Sequence, residues 1–318
     1  MGGNALKHVK CIRINKFEYN NIKNDILSKL KDLLNINALR DLPDKESFGD
    51  LDLIYTNNSI NNVLQLVISI FNPIEIEING NVLSFSYVLN VNDYFQIDLI
   101  KVKNYDMANF YMSYGDIGNI LGRIIKKQNL TFGHEGMWLN YKNNKIILLD
   151  NPKEICDFLE LDYNKWEYGF NDMFDIFNWI INCKYFNKNI FNISKLNSTY
   201  RHRLITRPMF LEFYKYIENI EFKEKEYKII TDEEYINMFN KNKELDEINK
   251  YKNIEKLYQN KFSGLIFLEY IDKKKINIYK DEFIKYISKN NNFDEWLSTN
   301  DQEYINKTIK SFIDVFNF

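Results

Sequence analysis

From Tyr19 to Asn35 the apolar residues Ile22, Ile26, Leu27, Leu30, Leu33 and Leu34 recur three or four positions apart, which predicts a helix with one buried stripe lying across the back of a sheet. The period then shortens to two. Gly49 to Tyr55 predicts a strand, and an apolar helix follows at roughly Ile60 to Phe71. Three further strands are predicted at Ile74 to Ile78, Val82 to Leu89 and Tyr94 to Val102, the first two joined across an Asn79-Gly80 turn.

After residue 105 the pattern changes. It predicts a helix near Asp116 to Gln128, a turn-rich stretch at Thr131 to Gly136, a hairpin of Met137 to Tyr141 with Lys145 to Leu149, and a helix from Pro152 to Leu159. From Trp166 onward the chain reads as mainly helical, with a strand around Leu265 to Ile278 and a loop at Asn290 to Asn292. The expected class is α+β. The expected divisions are an N-terminal segment and helix (1–32), a mixed sheet with helices (33–105), a small α/β region (106–165) and a mainly helical C-terminal domain (166–318).

At 318 residues with 45% hydrophobic and 16% aromatic content, the chain has enough apolar surface for real cores. Its 42 basic and 44 acidic residues nearly balance, so any attraction for nucleic acid has to be local. No apolar run is long enough to span a bilayer and the first residues lack a signal-peptide pattern, so a soluble intracellular protein with no membrane partner is expected. Three cysteines and three histidines lie scattered, without the spacing of a disulfide framework or a zinc site.

Chemistry concentrates at two aspartates. In Ser47-Phe-Gly-Asp-Leu-Asp-Leu-Ile-Tyr55, strand alternation sends Asp50 and Asp52 to the same side while Leu51 and Leu53 bury. A third carboxylate, Asp98, lies on the later strand. Three carboxylates on adjoining strands suit two Mg²⁺ or Mn²⁺ ions, and with them phosphoryl transfer from a nucleoside triphosphate to a hydroxyl. The chain holds six arginines, three of them (Arg201, Arg203, Arg207) within seven residues beside Tyr200 and His202, a composition suited to phosphates and stacked bases.

Two segments resemble the family X, polymerase β-like, DNA polymerases over roughly residues 33–165. Lys45 to Thr56 is similar to the second half of their first-carboxylate signature, and Gln96-Ile-Asp98 matches their third aspartate with Gln in place of Arg. Tyr111-Met-Ser-Tyr-Gly-Asp-Ile-Gly-Asn-Ile-Leu-Gly-Arg123 is similar, without gaps, to their thumb motif. The resemblance implies a nucleotidyltransferase palm and a small thumb, with Asp50, Asp52 and Asp98 both metal-binding and catalytic. It implies nucleotide contacts from Ser47, Gly49, Tyr111, Gly115, Asp116 and Asn119, and places Arg123 at the template. Lys126, Lys127, Arg201, Arg203 and Arg207 complete the expected nucleic-acid surface, with DNA as the leading partner, RNA as the alternative and room for a protein partner.

The departures from that pattern matter. Leu39-Arg40 stands where the family carries the Gly-Ser that grips triphosphate, and Leu42 and Pro43 replace its arginines. Arg40, Lys45 or a folded-back Gly2-Gly3 are the expected substitutes. Tyr114-Gly115 replaces the thumb's Gly-Ser, and the roughly thirty residues before the first match are too few for a lyase domain, so no lyase activity is expected. Three functions follow: a templated DNA polymerase, a terminal nucleotidyltransferase acting on RNA, or a nucleic-acid-binding subunit that has lost turnover.

Overall fold

The computed structural model describes residues 3–192, 196–222 and 227–316. The chain divides into two compact units, Met1–Phe239 and Asn240–Phe318.

The first unit opens with β1 (Ile14–Asn15) and α1 (Lys16–Leu30). Asn15 starts the helix through a capping box: its side chain accepts the Glu18 N–H at 3.0 Å while Glu18 reaches back to the Asn15 N–H. β2 (Asn35–Ala38), β3 (Ser47–Phe48), β4 (Asp50–Thr56), α2 (Ile60–Phe71), β5 (Ile76–Asn79), β6 (Val82–Val88) and β7 (Tyr94–Lys101) follow. Five strands form one mixed sheet in the order β2-β4-β7-β6-β5, in which β4 and β7 run parallel and the other pairs antiparallel. β1 and β3 pair separately.

Leu51, Leu53 and Tyr55 of β4 and Phe95, Ile97 and Leu99 of β7 pack with Tyr19, Ile22, Ile26 and Leu30 of α1 and Val63 and Val67 of α2. The predicted helix therefore lies across the back of the sheet, ending at Leu30 rather than Asn35, with Leu33 left exposed. The opposite face of β4 and β7 carries Asp50, Asp52, Ile54, Gln96, Asp98 and Ile100. There α3 (Tyr105–Met112) covers the Ile54 end, where Ile54, Val102 and Ala108 form a small cluster, and residues 3–6 cross the end that carries Asp50 and Gln96.

α4 (Ile117–Ile125) buries Ile117, Ile120, Leu121, Ile124 and Ile125 and runs into a 3-10 turn at Lys126–Gln128. β8 (Leu130–Gly133), β9 (Gly136–Tyr141) and β10 (Asn144–Leu149) form a three-stranded antiparallel sheet, so part of the expected turn-rich stretch is strand. α5 (Pro152–Leu159) is capped by Asn151 with proline at its start. α6 (Tyr163–Tyr168), α7 (Met173–Ile181), α8 (Ser198–Thr206), α9 (Pro208–Glu218) and α10 (Asp232–Met238) complete the unit.

The second unit holds α11 (Asn242–Lys261), α12 (Gly264–Leu268), α13 (Ile276–Ser288), α14 (Phe293–Thr299) and α15 (Gln302–Val315). Its core is largely aromatic, with Phe262, Phe267 and Phe283 packed against Phe293, Leu297 and Ile309. The strand expected at Leu265 to Ile278 is absent: α12, a 3-10 turn at Lys273–Lys275 and the start of α13 occupy it. No strand lies among the described residues of this unit, so a strand there would have left its backbone groups unpaired. Helices satisfy that backbone internally. None of the helices is long and apolar enough to cross a membrane among the described residues.

Candidate active site

Strand register builds the site. Parallel pairing sets Asp52 opposite Asp98 and Asp50 opposite Gln96, and antiparallel pairing sets Ser84 of β6 on the other side of Asp98. Because side chains alternate, all of these fall on the face opposite the hydrophobic core. One carboxylate oxygen from each of Asp50, Asp52 and Asp98 lies within 4.8 Å of the others. An all-oxygen donor set at this spacing fits Mg²⁺ or Mn²⁺.

The three carboxylates sit in unlike surroundings. Burial, reinforced by the charges of Asp50 and Asp98, pushes Asp52 up to about 8. Burial also raises Asp98, opposed by hydrogen bonds from Ser84 and Gln96. The Gln96 amide nitrogen lies 3.0 Å from both Asp98 oxygens. Asp50 accepts the backbone N–H of Gly3 at 3.0 Å. Gly2 lies outside the described residues. Gly3 does fold back, yet its amide is directed at a protein carboxylate.

Asp50 and Asp52 open into a cleft of about 810 Å³ that Tyr111, Gly115, Asp116 and Asn119 also line, while Asp98 lies beside them off the lining. Asp116 stands at the start of α4, accepts from the Asn119 side chain at 3.0 Å and donates its own backbone N–H to the Met209 sulfur at 3.1 Å. The Tyr111 hydroxyl donates to Asn119 at 3.4 Å. Gly115, at a φ of 71°, lies so close to Met209 that a β-carbon would come within 2.9 Å of its sulfur. Ser47 and Gly49 lie on the same lining, where Arg13 donates to the Ser47 hydroxyl at 3.0 Å and its carbonyl at 2.6 Å.

Arg123, expected at the template, is turned inward. It is 9% exposed, donates to the Ile190 carbonyl, and stacks on Tyr200 at 4.3 Å and Phe191 at 5.6 Å. The three-and-four spacing of Asp116, Asn119 and Arg123 places the first two at the cleft, but the segment around Ile190 and α8 covers the third. Lys126 and Lys127 are exposed on the turn after α4 and do not line the cleft.

Arg40, an expected phosphate substitute, is committed elsewhere. Its guanidinium donates to the Tyr114 hydroxyl at 3.2 Å and to the carbonyls of Trp166 at 2.9 Å and Glu167 at 2.6 Å, lying over the Trp166 ring at 4.6 Å. Those carbonyls belong to the last turn of α6, where a cation is favoured. Lys45 remains on the cleft wall, paired with Asp41 at 3.4 Å and lying over Phe48 at 4.5 Å.

The arginine cluster divides. Arg207, exposed just ahead of α9, lines the same cleft as Asp50 and Asp52, so it is not remote from the aspartates. Arg203 lies over Tyr200 at 5.3 Å, and Arg201 is exposed and off the cleft lining. Arg13 on this wall was outside the sequence-based phosphate candidates, and Arg207 was expected at nucleic-acid phosphates away from the aspartates. Their distance from the aspartate motif left no spacing signal to place them in its cleft.

The sequence matches no protein-family model and no curated protein.

Proposed function

We propose that this chain is a metal-dependent nucleotidyltransferase of the polymerase β-like type, with the five-stranded sheet as palm and residues 106–165 as thumb. One observation carries the reading: Asp50, Asp52 and Asp98 converge from two parallel-paired strands, and Asp50 and Asp52 line a cleft whose walls also present Arg13, Lys45 and Arg207. Carboxylates in the floor suit cations, and cations on the wall suit phosphates. A nucleoside triphosphate carrying divalent ions needs both.

Two Mg²⁺ or Mn²⁺ ions, when bound, would supply charge neutralisation for the attacking and leaving oxygens. Asp50 and Asp52 are the residues to hold them, and Asp98, beside them, would orient a 3′-hydroxyl and take up its proton. Arg13, Lys45 and Arg207 replace the missing Gly-Ser as the triphosphate's counter-charge. Asp116 and Asn119 form a fixed polar pair for the nucleotide, with Tyr111 beside them. Catalysis then rests on positioning and electrostatics.

A second reading, a nucleic-acid-binding subunit without turnover, is favoured by the loop at residues 39–43. Its arginine is tied to α6, and Pro43 offers no N–H to a phosphate. Incubation with Mn²⁺, each nucleoside triphosphate and either gapped DNA or single-stranded RNA separates the readings. Extension of the gap by the complementary deoxynucleotide supports a templated polymerase, untemplated growth of RNA supports a terminal transferase, and binding without extension supports the subunit.

A further inference from the structure

Residues 3–9 lie across the sheet and donate backbone N–H groups to three acidic or amide side chains in turn. Gly3 donates to Asp50 at 3.0 Å, and Ala5 and Leu6 donate to the Gln96 side-chain oxygen at 2.9 and 3.4 Å. Lys7, His8 and Val9 donate to the Glu75 carboxylate at 2.8, 2.9 and 2.9 Å. Glu75 is 8% exposed, so this segment is anchored at a buried acceptor as well as at the metal-site end.

Gln96 is the joint of this arrangement. It is 2% exposed and its two ends face opposite demands. Amide oxygen and nitrogen are told apart by their partners, and here the partners leave one choice. The backbone N–H groups of Ala5 and Leu6 need an acceptor, so the oxygen faces them. The NH₂ end then faces both Asp98 oxygens at 3.0 Å. Turning the amide over would set N–H against N–H and carbonyl against carboxylate.

We propose that Gln96 is a positioning residue for the metal centre. It is locked by the 3–9 segment so that its NH₂ group fixes the Asp98 carboxylate, while Gly3 fixes Asp50. Groups that orient a metal ligand from behind change affinity ~10–100-fold when removed. Gln is the side chain that accepts from the segment and donates to Asp98 at once: arginine could only donate, and glutamate only accept when ionised.

The inference rests on Asp98 being a metal ligand, so the experiment reads the metal and the segment separately. Gln96→Met keeps the length and removes both hydrogen-bonding ends. Mn²⁺ titration of the full chain, without nucleotide, is expected to show at least ~10-fold weaker binding. Hydrogen exchange is expected to rise across residues 3–9. Wild-type Mn²⁺ affinity in a folded Gln96→Met chain overturns the proposal. Should Gln96→Met fail to fold, Asp98→Ala gives the reciprocal reading: with the carboxylate gone the Gln96 amide loses its lock, and exchange at Ala5 and Leu6 is expected to rise. Unchanged exchange there overturns the proposal too. Failure of the wild-type chain to bind Mn²⁺ removes the metal reading itself, and the exchange arm still decides whether Gln96 couples the segment to Asp98.

Discussion

Metal binding should release a proton, and the structure sets how many and where in pH. Burial and two carboxylate neighbours hold Asp52 at about 8, so without metal it is mostly protonated at neutral pH. At pH 7 that corresponds to ~0.9 proton, which a ligating cation has to displace. Apparent Mn²⁺ affinity should rise ~10-fold per pH unit up to about 8 and then level off. Calorimetric titration in two buffers of different ionisation enthalpy measures the released proton directly. Release near zero at pH 7 with a pH-independent affinity would refute the reasoning.

The same displacement has a stability sign. Asp52 is raised above its ordinary value, so the native state holds a proton that the unfolded chain has lost. That contribution is complete below about pH 4 and is lost as pH rises towards 8. Asp52→Asn mimics the protonated form at every pH. Metal-free at pH 9, it should melt at least ~2 °C above the wild type, since each unit of displacement is worth ~1.4 kcal/mol. It should bind metal poorly at the same time. A variant that is no more stable at pH 9 would show that burial at this site costs the ionised form little.

Asp98→Ala should abolish extension while leaving the circular dichroism spectrum unchanged; near-normal turnover would move the site elsewhere. Arg207→Gln should raise KM for the triphosphate ~10-fold, while Arg201→Gln, off the cleft lining, should leave it unaltered. Equal effects from both variants would assign Arg207 to nucleic acid instead. Arg123→Ala should destabilise by ~2–4 kcal/mol in denaturant unfolding, because it vacates a buried site and strips the Ile190 carbonyl of its donor. Lost templated insertion at unchanged stability would return Arg123 to the template. Gly3→Ala would put a β-carbon 2.3 Å from the Gly49 carbonyl oxygen at a φ of 82°, and should weaken Mn²⁺ binding. Unchanged affinity would mean that Asp50 does not need its amide partner.

Periodicity revealed the elements that carry a buried face. α2 and β6 were readable because their apolar spacing is regular, and the carboxylate face followed from alternation along β4 and β7. β2 was not readable: Asn35-Ile-Asn-Ala38 is a sheet edge with one fully buried side chain, so it has almost no alternation to detect. β8 hid among turn residues because its partner, β9, supplies the pairing. The false strand at Leu265 to Ile278 arose from short apolar runs. Such runs do not distinguish a strand from a helix packed in an aromatic core.

Spacing also explains what the arginines concealed. A three-and-four interval places Asp116, Asn119 and Arg123 on one helical face, but it cannot say which distant segment that face meets. Residues 188–192 and the start of α8 lie over the far end of α4, where the Ile190 carbonyl and the Tyr200 ring turn Arg123 into a buried cross-link. A few residues later Arg207 lines the same cleft as Asp50 and Asp52. One returning segment thus removes a cation from the expected template surface and brings another to the cleft wall. The charge of the cleft wall therefore cannot be read from the aspartate motif alone, because one of its cations, Arg207, arrives from more than 150 residues away.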